Sequence, residues 1–246
     1  MLLRAWEQGI THFDIANNYG PEPGSAETTF GRVLREDLAA HRDEMIISSK
    51  AGYLMWNGPY GDGGSRKYLM ASCNQSLRRT GLDYFDIFYS HRYDPNTPIE
   101  ETMQALVDIV HAGKALYAGI SNYPADKQQE CYDYLRAAHV PCVISQYKAN
   151  MLFEDTLRNN LSVAEENGSG FICFSPLAQG LLTDRYLHGI PEGSRATKEV
   201  FLHRAQITED VIARTRRLSE IAASRGQSVA QMALAWLLAH EGVTSV

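Results

Sequence analysis

Four residues in this chain have side chains that can move a proton to or from an oxygen, and each stands where an apolar run ends. Asp14 and Tyr19 lie in "THFDIANNYG", Lys50 closes "MIISSK", and His91 closes "YFDIFYSH". A carboxylate inside an apolar run is costly unless it is paired, and an ammonium arriving from a neighbouring run compensates it. A buried ion pair with no catalytic role would explain Asp14 and Lys50 by themselves. It would not explain a tyrosine and a histidine reaching the same place. An isolated tyrosine, with a pKa of about 10, is a poor proton donor to a carbonyl at neutral pH. A nearby ammonium stabilises the phenolate and strengthens the donor, while Asp14 keeps that ammonium charged. His91 can hydrogen-bond a substrate oxygen and orient a carbonyl. The four residues together predict a site that protonates an oxygen while a hydride reaches the adjoining carbon.

The elements that must bring them together follow from hydrophobic periodicity. Short runs rich in β-branched and aromatic residues fall at 11–16, 45–51, 84–91, 115–122, 142–147 and 170–176, and "VTSV" starts a seventh at the chain end. Period two sets Asp14 on one face with His12 and Ala16, Lys50 with Ser48 and Ile46, and His91 with Tyr89 and Ile87. Between these runs the period becomes helical. Phe30, Val33, Leu34 and Leu38 recur behind Ser25, read as an N-cap. Thr97, Pro98 and Glu100 predict a capped helix start, and Gly113 its stop. Ser228 and Gln231 predict a second capping box ahead of "QMALAWLLAHEG". Strand and helix in alternation specify a parallel sheet with crossover helices. An open doubly wound sheet would carry a Gly-rich turn after its first strand, and no G-x-G-x-x-G occurs in the chain. "GPYGDGGS" follows the wrong strand and reads as a loop. The expected fold is α/β, a (β/α)8 TIM barrel, in a single domain spanning 1–246. Six full strands and one cut short, behind a start in mid-helix, predict an incomplete barrel that lacks its first strand and C-terminal helix.

The 246 residues carry a formal charge of −6, which argues against nucleic acid or an anionic membrane as the main partner. No apolar run spans a bilayer, "MLLRAW" is too short for a signal peptide, and a cytoplasmic location is expected. Cys73, Cys131, Cys142 and Cys173 form no C-x-x-C pair and read as reduced core thiols. No histidine pair has helical ligand spacing, so no metal site is expected.

The runs "FDIANNYG", "ISSKAG", "FYSH", "GISN", "ISQ" and "FSPLAQGLLT", in this order over the whole chain, resemble the aldo-keto reductases, NADP-dependent (β/α)8-barrel enzymes. "HRYDPNTPIEETMQAL", "SPLAQGLLTDRYLHGIPEGSR" and "GQSVAQMALAWLL" resemble the branch of bacterial L-glyceraldehyde 3-phosphate reductases and potassium-channel β subunits. The resemblance implies Tyr19 as proton donor, Lys50 and Asp14 as the pair that tunes it, and His91 as the group that orients the carbonyl. It places Ser121, Asn122 and Gln146 at the nicotinamide carboxamide, and Phe174 as the ring stacked on the nicotinamide. Ser175, Pro176, Leu177, Gln179 and Gly180 match a loop around the pyrophosphate, Arg185 and Arg195 match cofactor-binding basic positions, and Asp14 also counts among the cofactor-binding positions. Each of these has a plainer reading when taken alone: Phe174 as core, the arginines as solvated charges, Ser121-Asn122 as a helix cap.

The implied activity is NADP(H)-dependent reduction of a small-molecule carbonyl, such as glyceraldehyde 3-phosphate or methylglyoxal. Two other readings stand beside it: a cofactor-binding regulatory subunit like the channel β subunits, and a shortened chain that binds no cofactor. His91 counts against the first, since channel β subunits typically carry asparagine there. The edges left by a missing strand would offer a route to a homo-oligomer, whose state the sequence leaves open. "ISQYKANMLFEDTLRNN" departs from the family pattern, which bears on the pocket wall near Tyr147. Arg66 or Lys67 in the loop 53–69 meets a substrate phosphate or forms a solvated charge pair at a helix start; both readings stay open.

Overall fold

The computed structural model describes residues 1–198 and 201–246. Every strand expected from the sequence forms: β1 His12–Asp14, β2 Ile46–Ala51, β3 Phe85–Ser90, β4 Ala115–Ser121, β5 Cys142–Lys148, β6 Gly170–Phe174 and β7 Val243–Ser245. Their order in the sheet is their order in the chain, as a (β/α)8 barrel requires. Two compact units, Met1–Ser145 and Gln146–Val246, divide inside β5.

In the first unit β1, β2, β3 and β4 pair in parallel, with Asp14 opposite Ser48, Lys50 opposite Tyr89, and Tyr89 opposite Gly119. The return helices are α1 Leu2–Glu7, α2 Ser25–Val33, α3 Arg66–Thr80, α4 Ile99–His111 and α5 Ala125–Ala137. Helix α4 buries Met103, Leu106, Val107 and Ile109 at helical spacing, while Val110 is half-buried. Gly119 admits the Tyr89 ring, which a Cβ would meet at 2.6 Å. Gly31 lets α2 approach the end of α3, because a Cβ there would lie 2.3 Å from the Thr80 carbonyl oxygen.

Two helix starts differ from expectation. Gly24, at φ 88°, caps α2 in place of Ser25, and the Ala26 N–H instead donates to the Tyr19 carbonyl at 3.1 Å. Helix α4 begins at Ile99 behind Pro98 with no side-chain cap, since the Thr97 hydroxyl donates to Asp94 at 2.8 Å. In both places a local turn competes successfully for the capping group. The Ser228–Gln231 capping box forms as expected.

The second unit contains α6 Asp155–Asn159, α7 Leu161–Glu166, α8 Arg195–Lys198, α9 Glu209–Ser224 and α10 Val229–Leu238, with β6 and β7 parallel. Tyr147 is buried in one of its cores with Leu157, Phe171 and Leu237. Its ring stacks on Phe171 at 5.2 Å, so it is a packing residue there. Leu181, Leu182, Tyr186, Leu202 and Ala233 form another core. All four cysteines are buried and free. Among the described residues no helix is long and apolar enough to cross a membrane.

Helix α2 carries one carboxylate on its buried stripe. Glu27, in line with Phe30 and Gly31, is 0% exposed and accepts hydrogen bonds from Ser49 Oγ and Arg79 Nε, both at 2.6 Å. Removing one partner of such a buried pair strands the other charge. Arg79→Met is expected to cost roughly 3–5 kcal/mol in urea unfolding, whereas Glu27→Met with Arg79→Met recovers most of that loss.

Candidate active site

The first unit brings Asp14, Tyr19, Lys50 and His91 together. Lys50 is wholly buried at the end of β2 and forms an ion pair with Asp14 at the end of β1. Its ammonium also donates to the Ile15 carbonyl at 3.0 Å. The other Asp14 oxygen accepts from Ser48 Oγ at 2.6 Å, and Ser48 Oγ lies 3.1 Å from His12 Nε2. Because the single Ser48 proton goes to Asp14, His12 must donate from Nε2. The residues His12, Asp14, Ser48 and Lys50 thus share one face, as period two required.

Tyr19 follows β1 on a tightly held turn. Asn17 N–H donates to the Lys50 carbonyl at 3.0 Å, and the Asn17 amide donates to the Tyr68 hydroxyl at 3.1 Å. The Tyr19 ring lies 5.1 Å from the Lys50 ammonium and 5.7 Å from the His91 ring, in an edge contact. Tyr89 approaches the same ammonium at 5.5 Å, so Lys50 is flanked by two aromatic rings. At the end of β4, Asn122 adopts φ 57° and donates to the His91 carbonyl at 3.1 Å and to Ser121 Oγ at 3.0 Å. This holds Ser121 and Asn122 beside His91 rather than at the start of α5, which Pro124 caps without a side-chain bond.

Burial sets the electrostatics. It pulls the Lys50 ammonium below its ordinary value, and Asp14 opposes the shift. Burial first, and Asp14 second, push the Tyr19 hydroxyl up, so it holds its proton at neutral pH. That is opposite to the lowering expected from a nearby ammonium, because burial, with the Asp14 charge behind it, disfavours the phenolate. Burial, Lys50 and Arg92 bring His91 down to about 3, against the pull of Asp14, and the imidazole is neutral. Its Nδ1 is buried without a hydrogen-bond partner.

The second unit contains the remaining candidates. Gln146 is 5% exposed on β5, and Phe174, Ser175, Pro176, Leu177, Gln179 and Gly180 follow at the end of β6. Ser175, Ala178, Gln179 and Gly180 all have positive φ, at 57°, 46°, 60° and 103°. Non-glycine residues in that region are strained. The Gln179 side-chain oxygen is buried with no partner there. A strained loop with an unsatisfied acceptor fits a cofactor that offers it a hydroxyl or amide donor. Arg185 and Arg195 are exposed, the latter opening α8.

Sequence reading placed His12 and Ser48 on the right face without giving them a role, and missed Glu27, Arg79, Tyr53 and Arg92 around the site. A carboxylate on the apolar stripe of α2 was a legible signal for Glu27; the others lie too far apart in sequence to be linked. Arg66, a phosphate candidate, is paired with Asp108 of α4, and Lys67 sits over the Tyr60 ring at 4.7 Å.

Parallel strands that gather polar groups at their carboxyl ends, joined by return helices, define a β/α-barrel type of enzyme scaffold. The profile of the Aldo/keto reductase family matches residues 1–246. The L-glyceraldehyde 3-phosphate reductases of Escherichia coli O157:H7 and strain K12 are 56% and 55% identical over 251 residues, covering 100% of this chain and 72% of each relative. A putative voltage-gated potassium channel subunit beta of Schizosaccharomyces pombe is 33% identical over 254 residues, covering 99% of this chain and 72% of that protein. The chain belongs to the aldo/keto reductase family, a family of oxidoreductases.

The direction of the His91 shift gives a stability signature. Its folded pKa, about 3, lies below the ordinary 6.5, so the unfolded chain binds the proton first as pH falls. The contribution is complete above pH 6.5 and is lost progressively toward 3. His91→Gln is expected to flatten the stability–pH curve between those limits by roughly 1.4 kcal/mol per pH unit, read from urea midpoints.

Proposed function

We propose that the protein reduces small aldehydes to alcohols with NADPH, with Tyr19 as the proton donor. The observation that carries this reading is the convergence of a protonated phenol, a neutral imidazole and a buried Lys50–Asp14 pair at adjacent strand ends. The 56% identity to an L-glyceraldehyde 3-phosphate reductase supports the same class of reaction.

Bound NADPH would supply the hydride that adds to the carbonyl carbon. The chain's own residues manage the oxygen. Tyr19 and His91 direct polar groups at the carbonyl oxygen and so fix which oxygen is approached. As the C=O π electrons move onto that oxygen, its basicity rises far above that of a carbonyl, and it takes the Tyr19 proton. The phenolate left behind lies within the field of Lys50, which Asp14 keeps charged. Proton uptake from solvent then restores the phenol. Aldehyde, NADPH and one proton become alcohol and NADP⁺.

Ser121 and Asn122 in the first unit are assigned to the carboxamide of the nicotinamide. In the second unit the family resemblance assigns Gln146 to the carboxamide, Phe174 to the nicotinamide ring, and Ser175, Pro176, Leu177, Gln179 and Gly180 to the pyrophosphate. Arg185 and Arg195 are assigned to the cofactor's remaining charge.

Tyr19→Phe deletes the proton and little else. It is expected to lower kcat for methylglyoxal about 10²- to 10⁴-fold while NADPH binding, followed by fluorescence titration, is retained. Equal turnover by variant and wild type would remove Tyr19 from the mechanism.

A further inference from the structure

Beyond His91 the polypeptide builds a ladder that the reaction as described does not use. The Tyr53 ring meets the His91 ring edge-on, at 4.7 Å and 90°. The Arg92 guanidinium stacks on the other rung, 4.8 Å from the Tyr53 centroid. Arg92 Nε donates to the Gly52 carbonyl at 2.7 Å, and Nη2 donates to Asp62 at 2.8 Å. The guanidinium is therefore fixed in plane by one ring and two hydrogen bonds, while Nη1 makes no hydrogen bond among the described residues. Burial pushes the Tyr53 hydroxyl pKa up; Arg92 opposes the rise, and Tyr19 and Asp62 add to it.

An arginine ordered this firmly, one aromatic ring from a carbonyl-orienting histidine, is prepared for an anion. The chain's net charge of −6 repels an anionic substrate at long range, so a phosphate near the site needs a local cation. The Arg92–Asp62 pair is partly open to solvent, with side chains 35% and 45% exposed. Ion pairs of that kind contribute little stability. A phosphate can therefore replace Asp62 at small cost and gain a planar two-pronged donor with little further loss of side-chain freedom. Asp62 follows Gly61 on the loop before α3 and accepts the Gly63 N–H at 2.8 Å, so it retains a partner after displacement.

We propose that Arg92 is the anion-selecting residue of this site, receiving the phosphate of a short phosphorylated aldehyde whose carbonyl lies at Tyr19 and His91, with Asp62 as the group the phosphate displaces. The assignment rests on the aldehyde reduction proposed above and names its substrate class and the residue that selects it. Arg66, beside Asp108, and Lys67, over Tyr60, make no ring contact with His91 or Tyr53 among the described residues, so Arg92 is the cation of this ladder.

The test compares kcat/KM for glyceraldehyde 3-phosphate with that for unphosphorylated glyceraldehyde in the full-length protein. Arg92→Gln, which keeps a donor near the Gly52 carbonyl, is expected to lower that ratio about 10- to 100-fold. Asp62→Asn, on an exposed loop that does not threaten folding, is expected to raise the ratio about 2- to 5-fold. A second arm needs no turnover: calorimetric binding of glycerol 3-phosphate should weaken in Arg92→Gln and tighten in Asp62→Asn. An unchanged ratio together with unchanged binding would overturn the assignment while leaving aldehyde reduction intact. Failure of the wild type to reduce either aldehyde would instead sink the proposed reaction, and the binding arm would still decide the role of Arg92.

Discussion

The constraint on which the site depends is the burial of Lys50. A wholly buried ammonium must have a charged partner and further acceptors, and Asp14 and the Ile15 carbonyl provide them. Meeting that demand fixes much else. The side chain must reach back along β2 to a carboxylate on β1, so the register of those strands is set by electrostatics as well as by packing. The carboxylate in turn needs a second donor, Ser48, and Ser48 needs His12. A line of polar groups thus runs along the inner face of two strands, each member satisfied by the next.

Aromatic rings complete what the ion pair begins. Tyr19 and Tyr89 flank the ammonium, and His91 lies against Tyr19 and Tyr53. Rings that exclude water also strip solvation from the ionisable groups, which explains the directions of their shifts. Lysine and histidine are driven toward neutrality and tyrosine toward its protonated form. The ammonium is the group with a carboxylate beside it to resist. A proton is thereby kept on the phenol and off the imidazole at neutral pH, the pair of states on which the proposed reaction draws. Besides Tyr60 and His139, the non-glycine residues of positive φ, Asn122, Ser175, Ala178 and Gln179, lie where function is proposed, as is common where a backbone must face a ligand.

Periodicity was the most legible property of this chain. Alternation within strands and helical spacing between them marked all seven strands, together with the faces that bear Asp14, Lys50 and His91. Capping was less legible. Ser25 and Thr97 have the right type for N-caps, yet Gly24 and Pro98 occupy those positions. An N-cap is a competition among nearby acceptors, and the Tyr19 carbonyl and Asp94 changed its outcome.

By itself the sequence determined which residues stand at strand ends and on which face, because a two-residue period follows from covalent geometry. Beyond the Asp14–Lys50 pair, only the tertiary structure decided which side chains meet. Glu27 with Arg79, Arg66 with Asp108, and Arg92 with Tyr53 and Asp62 join residues separated by many positions. The direction of the Tyr19 shift was likewise beyond the sequence. The order of residues along a chain gives the sign of each charge, but the field at a hydroxyl depends on distance and on the water displaced, and both are set only when the strands and helices pack.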